Sequence, residues 1–295
     1  MTEPAVNERP KTPIIIHVGY PKTGTTWLQK WVFPVLPDID FWPDASFLEA
    51  MVPSETNHGR ITTVAFPWDN VGSRPVIISW EALLGNFMPG DVDHPGKDSF
   101  MIAERLHRMV EKAKIIITIR NQVTMLDSLY RQYIHGGFRG DFDTVFASGR
   151  IPLEYLFYDK VIAHYRKLFG AEAVYVGLFE ELQHKQEKFL SGLAGFMSVE
   201  TPIFDLSVFS HRDNQGLSKF SLAALRVFNA VYPSSFPTLK WLHRWVRTAD
   251  AKILLKLSPR RLKKLDDSML DCYRAGNQAL VEQLNLPLAE HGYPL

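Results

Sequence analysis

Lys22 carries the clearest chemical signal in the chain. It lies within Gly19-Tyr20-Pro21-Lys22-Thr23-Gly24-Thr25-Thr26-Trp27, where two glycines, a lysine and paired threonines follow directly on the apolar run Ile14 to Val18. Gly19, Pro21 and Gly24 shape a tight reversal, and Thr25 and Thr26 place hydroxyls at the start of a helix. A helix start presents unpaired N–H groups and the positive end of a dipole, so this loop suits an anion, most simply a nucleotide phosphate. The loop of ATP- and GTP-binding proteins, G-x-x-x-x-G-K-[ST], has its lysine directly after the second glycine. Here Gly19 and Gly24 keep that separation but Lys22 falls between them. A lysine so placed reaches a terminal group and its bridging oxygen rather than lying along a phosphate chain.

About ninety residues further on, Lys114 to Arg120 is a second apolar run, and it ends in arginine. In an NTPase the equivalent run usually ends in an aspartate that holds magnesium; no aspartate stands here. Leu126, Leu129, Tyr130, Tyr133 and Ile134 give the segment from Asn121 to Ile134 a helix-spaced apolar face, which puts Ser128 about two turns into a helix. A guanidinium such as Arg120 can make two parallel charge-assisted hydrogen bonds to a phosphate. Group transfer to an acceptor hydroxyl also needs a base, and the position just beyond the apolar run Arg74 to Ser79, across a cleft from the loop, holds Glu81. A carboxylate at a helix start is stabilising in its own right, so Glu81 has a structural reading beside the catalytic one.

Taken together, Pro21 to Trp27 and the pair Arg120 and Ser128 resemble the PAPS-dependent sulfotransferases. The resemblance extends, less specifically, through residues 74–84, 174–182 and 211–219. It implies that Lys22, Thr23, Gly24, Thr25, Thr26 and Trp27 bind a 5′-phosphosulfate, that Arg120 and Ser128 bind the 3′-phosphate, and that Arg212 adds a further contact from the polar segment His211 to Lys219. Family members divide between a histidine and a glutamate as base. Glu81 fits the glutamate branch, with His58 and His107 as the other candidates. Glu180-Glu181-Leu182 resembles the family's strand-to-helix junction near the adenine. The implied reaction moves a sulfuryl group from PAPS to an acceptor hydroxyl or amine and releases PAP. Its acceptor, a small molecule, carbohydrate or lipid, is left open, as are two other readings: a P-loop kinase or NTPase, and a nucleotide-binding protein without catalysis.

These residues need a scaffold that brings strand ends together. Arg74 to Ser79 and Ala173 to Phe179 read as further strands, and a helix from about Tyr155 to Phe169 is stopped by Gly170. Strand and helix in alternation imply parallel pairing, hence an α/β three-layer sandwich with a central parallel sheet and ligand at the strands' carboxyl ends, where Lys22, Ser79, Arg120 and Phe179 fall. Further helices are expected over about Asp98 to Lys112 and from Leu265 to near Leu284. His17, inside the first strand, reads as a structural histidine near the loop. Residues 37–74 and 86–97 read as long irregular loops and candidate acceptor sites. Residues 1–295 are expected to form a single domain with a flexible stretch at 1–12.

Composition narrows the function classes. With 33 basic and 32 acidic residues the net charge is +1, which gives no case for nucleic acid as a partner. A lone cysteine, Cys272, excludes an intrachain disulfide and a cysteine-based metal cluster. Asp91, Asp93 and His94 sit in a Gly/Pro-rich stretch that reads as a turn, so no metal is expected. No apolar run approaches a membrane span, and a cytoplasmic protein is the expectation. Between residues 240 and 264, nine basic residues interleave with Trp241, Leu242, Trp245, Val246, Ile253 and neighbouring leucines. Such a basic amphipathic stretch can contact an anionic membrane, cover an acceptor site, or be an ordinary helix with a solvated face.

Overall fold

A computed structural model describes residues 12–43, 45–51, 65–85, 98–135, 138, 140–149, 151–200 and 267–295. Among these residues five strands form one parallel sheet: β1 (Ile14–His17), β2 (Asp40–Trp42), β3 (Val76–Ser79), β4 (Lys114–Ile119) and β5 (Val174–Leu178). Their spatial order is β2-β3-β1-β4-β5. In register, Ile16 of β1 lies between Ile78 of β3 and Ile115 of β4.

Alternation along these strands explains why the sheet is covered on both faces. Ile14, Ile16, Val76, Ile78, Ile115, Ile117 and Ile119 enter one buried cluster, while Ile15, Ile77 and Ile116 enter another. On the first face pack α2 (Ser99–Met109), α3 (Gln122–His135), α5 (Tyr158–Phe169) and α8 (Asp267–Leu284), with the short α4 (Phe142–Ala147) beside them. The second face is covered by the chain from Leu28 to Leu36 and by α7 (Gln186–Met197), which follows α6 (Phe179–His184). This is the expected three-layer α/β sandwich.

Two elements differ from the expectation. The stretch 37–74 contributes β2, a three-residue edge strand that pairs with β3 from Asp40↔Val76 to Trp42↔Ile78. Its residues are only half-buried, so they lack the continuous apolar run that marks the central strands. The helix opening at Thr25 is likewise irregular. Regular α-geometry lasts only through α1 (Thr25–Trp27), widens into a π-turn at Leu28–Val32 and tightens to a 3-10 turn at Phe33–Val35. Pro34 has no N–H to donate, so the regular ladder cannot continue through it.

Strand β1 sends its chain to one face and its neighbour β4 sends α3 to the other, which opens a crevice at the carboxyl edge between them. No helix among the described residues is long and apolar enough to cross a membrane. Arg212, His58, residues 91–94 and the basic stretch 240–264 lie outside the described residues.

Candidate active site

The loop after β1 is held in a conformation that its residues do not adopt without constraint. Gly24 has φ 88°, and Lys22 has φ 64°, in the left-handed region that a residue with a side chain rarely occupies. A Cβ on Gly24 would meet Leu182 Cδ2 at 2.6 Å and the Phe179 ring at 3.5 Å, so α6 presses directly on the loop. Thr23 is buried, and its hydroxyl donates to the Tyr20 carbonyl at 2.5 Å. That hydroxyl closes the turn, which leaves the Thr23 backbone N–H as its contribution to any anion. Thr25 is buried with its hydroxyl unpartnered, Thr26 is half-exposed, and Trp27 packs into the second cluster.

Glu81 opens a 3-10 turn, Glu81–Leu84, immediately past β3. Its carboxylate accepts a hydrogen bond from the Lys22 backbone N–H and lies within electrostatic reach of the Lys22 ammonium. One side of Glu81 is open to solvent, but protein crowds the carboxylate from the other, and that desolvation raises its pKa above the usual range against the lowering effect of Lys22. The Lys22 pKa is lowered by burial, raised in part by Glu81 and lowered again by Arg120. A carboxylate made more basic beside a lysine made more acidic is the pairing that general acid–base chemistry uses.

Arg120 stands at the end of β4 with its fork already oriented. Its Nε donates to Thr124 Oγ1 at 2.9 Å and its Nη1 to the Lys22 carbonyl at 3.0 Å, while the guanidinium lies 4.8 Å from the centre of the Phe179 ring. Two of its five N–H groups are thus used to aim it, and the others remain for an anion. Burial lowers the Arg120 pKa, and Glu180 opposes that shift. The helix that follows is capped by Asn121, whose Oδ1 accepts from Val123 N at 2.9 Å. Glu180 braces the same corner: Oε1 accepts from Asn121 N and Oε2 from the Tyr293 hydroxyl, each at 2.9 Å.

The structure therefore gathers Lys22, Glu81 and Arg120 in one crevice. Ser128 is half-buried one turn beyond Thr124 and makes no hydrogen bond to Arg120; Thr124 is the hydroxyl that holds the guanidinium. The spacing of four between Arg120 and Thr124, one helical turn, was the available signal. His107 is removed from the site. Its ring packs 5.1 Å from Phe169, at the end of α5 that leads back to the amino edge of the sheet.

Beneath the crevice lies a tyrosine layer for which periodicity gave no sign. Tyr20 stands edge-on to Tyr155 at 5.2 Å and to Tyr158 at 4.9 Å. The Tyr155 hydroxyl donates to Gly85 O at 3.2 Å and that of Tyr165 to Leu83 O at 3.4 Å, so both fix the turn that carries Glu81. Tyr158 does the same for Arg120, donating to its carbonyl at 2.7 Å.

No family model matches the chain, and no curated protein does. Solved structures do. The folds it resembles are sulfotransferase folds. A sulfotransferase from Alicyclobacillus acidocaldarius is 19% identical over 75% of this chain and 94% of its own, with a TM-score of 0.49. The sulfotransferase domain from the curacin biosynthetic pathway is 14% identical, covers 94% of this chain and 99% of that one, and scores 0.46. A mouse sulfotransferase complexed with PAP is 17% identical over 78% of this chain and 69% of that one, scoring 0.40. At such identities and scores the likeness says nothing about chemistry, which has to come from the side chains themselves.

Proposed function

We propose that the chain transfers a sulfuryl group from PAPS to an acceptor hydroxyl or amine and releases PAP. The observation that carries this reading is Lys22, held in a left-handed loop between a basic carboxylate and a pre-aimed arginine. Glu81 takes the acceptor's proton as the acceptor atom bonds to sulfur. The bond from sulfur to the bridging oxygen breaks, and its electron pair stays on the departing phosphate, where Lys22 stabilises the charge. Arg120, with Ser128 on the helix that follows it, holds the 3′-phosphate end. Backbone N–H groups from Thr23 to Trp27 and the Thr25 hydroxyl surround the 5′ end; a buried hydroxyl without a partner fits a site completed by an oxyanion.

In this reading, residues 1–295 are one sulfotransferase domain, Arg212 is a further nucleotide contact and the stretch 240–264 covers the acceptor or meets a membrane surface. The acceptor is a small molecule, carbohydrate or lipid. Calorimetry with PAP, AMP and magnesium-ATP tests the assignment. PAP binding most tightly supports it. Magnesium-ATP binding more tightly than PAP would favour a kinase or NTPase and overturn it.

A further inference from the structure

His17 and Thr25 present an unusual pair of buried atoms. Neither His17 Nε2 nor Thr25 Oγ1 has a hydrogen-bond partner, although the residues are 0% and 2% exposed. Buried polar atoms are normally paired, so two orphans flanking one glycine need an explanation. Both face the same point beneath the loop: a side chain on Gly19 would begin 2.7 Å from His17 Nε2 and 3.0 Å from Thr25 Oγ1.

On its other side His17 is firmly held. The amide of Gln29 donates to the Ser79 carbonyl at 3.1 Å, and since a carbonyl can only accept, this fixes which end of the amide is nitrogen. The same nitrogen reaches Ser79 Oγ at 3.0 Å. Ser79 Oγ accepts there, so its own hydrogen is available for His17 Nδ1, 2.7 Å away. Burial lowers the His17 pKa to about 3, so the ring is neutral and carries one hydrogen. A hydrogen given by Ser79 to Nδ1 places the ring hydrogen on Nε2, the atom that faces the loop.

We propose that Gln29, Ser79 and His17 form a one-way hydrogen-bond relay that positions Thr25 for the nucleotide. His17 Nε2–H donates to Thr25 Oγ1 when the 5′ end is seated, which leaves the Thr25 hydroxyl hydrogen to point at a phosphate oxygen. His17 is thus a positioning residue that acts through Thr25. The relay also ties the phosphate loop to Ser79, two residues before Glu81. This inference rests on the sulfotransferase reading for the identity of the anion but not for the direction of the relay.

The test has two arms. In the full-length protein, nitrogen NMR of the labelled imidazoles reports the His17 tautomer without ligand, assigned by the signal lost in His17→Leu. Nε2–H is expected, and Nδ1–H overturns the relay whether or not PAP binds. The second arm is a double-mutant cycle on PAP affinity by calorimetry. His17→Leu and Thr25→Val should each weaken PAP about fivefold, the worth of one hydrogen bond, and the double variant should be no weaker than either single one. His17→Gln, whose amide reaches toward the Nε2 position, should restore part of the loss, and Thr118→Val, which removes another buried, unpartnered hydroxyl, on β4, should leave affinity unchanged. Independent, multiplying losses, or a cycle that closes with Thr118 instead of Thr25, would overturn the proposal. Wild-type protein that fails to bind PAP would instead refute the sulfotransferase reading, and the tautomer would still decide the relay.

Discussion

The two ends of the crevice are built on opposite plans. At the β4 end, Arg120 is fixed through Thr124, the Lys22 carbonyl and the Phe179 ring, and its corner is braced by Glu180, Tyr293 and Tyr158. At the β1 end the charged groups are less tied down. Lys22 and Glu81 face each other with perturbed pKa values, and the Glu81 carboxylate has the Lys22 backbone N–H as its anchor. A group that only binds gains from being fixed in advance, because less freedom is lost on association. A group that must exchange a proton or meet developing charge has to keep its reactive atom available. The first end reads as a grip and the second as the place of reaction.

That division makes graded predictions. Lys22→Ala has the largest expected effect, a loss of turnover of about a hundredfold to a thousandfold with PAP affinity little changed, because the ammonium acts on charge that develops in the transition state. Steady-state kinetics beside calorimetry separates the two quantities; an equal loss in both would make Lys22 part of the grip. Glu81→Gln should lower turnover about a hundredfold, again sparing PAP. The pH profile sharpens this. Since the Glu81 pKa is raised, activity should climb with pH through a limb above the usual carboxylate range as the base deprotonates. Since the Lys22 pKa is lowered, activity should fall at high pH through a limb below the usual lysine value. The acidic limb should vanish in Glu81→Gln.

Arg120→Ala should act in the opposite sense, leaving turnover at saturating PAPS close to wild type while removing at least about 2 kcal/mol of the preference for PAP over AMP. An unchanged preference would place the 3′-phosphate elsewhere. Smaller still is Thr124→Val, which frees the Arg120 Nε and should cost about 1 kcal/mol in PAP binding, as should Ser128→Ala, which removes a hydroxyl from the 3′-phosphate end. EDTA should leave turnover unchanged, since Lys22 and Arg120 supply the positive charge the reaction needs.

How much could be read in advance depended on distance along the chain. The turn after β1 was legible because its signal is local: Pro21 to Trp27 carry the turn, the lysine and the hydroxyls within seven residues. Arg120 was legible as the last residue of an isoleucine-rich strand, and Glu81 as the second residue beyond another. The supports were not. Ser79 meets His17 across 62 positions, Tyr165 reaches Leu83 across 82 and Tyr293 reaches Glu180 across 113, and no periodicity connects such pairs. Strand β2 escaped because three half-buried residues in a proline-containing stretch give no alternation to follow. Thr124, which holds the Arg120 guanidinium, lies one helical turn from it but has no place in the motif formed by Arg120 and Ser128, so its role came to light only in the structure.

Transfer of label tests the central claim most directly. The protein is incubated with PAPS labelled in its sulfur and, separately, with ATP labelled in its terminal phosphate, in the presence of an extract that contains candidate acceptors, beside the Lys22→Ala variant. Label should pass from PAPS to an acceptor, with PAP formed in equal amount, and should fail to pass in the variant. Label passing from ATP and not from PAPS would contradict the account.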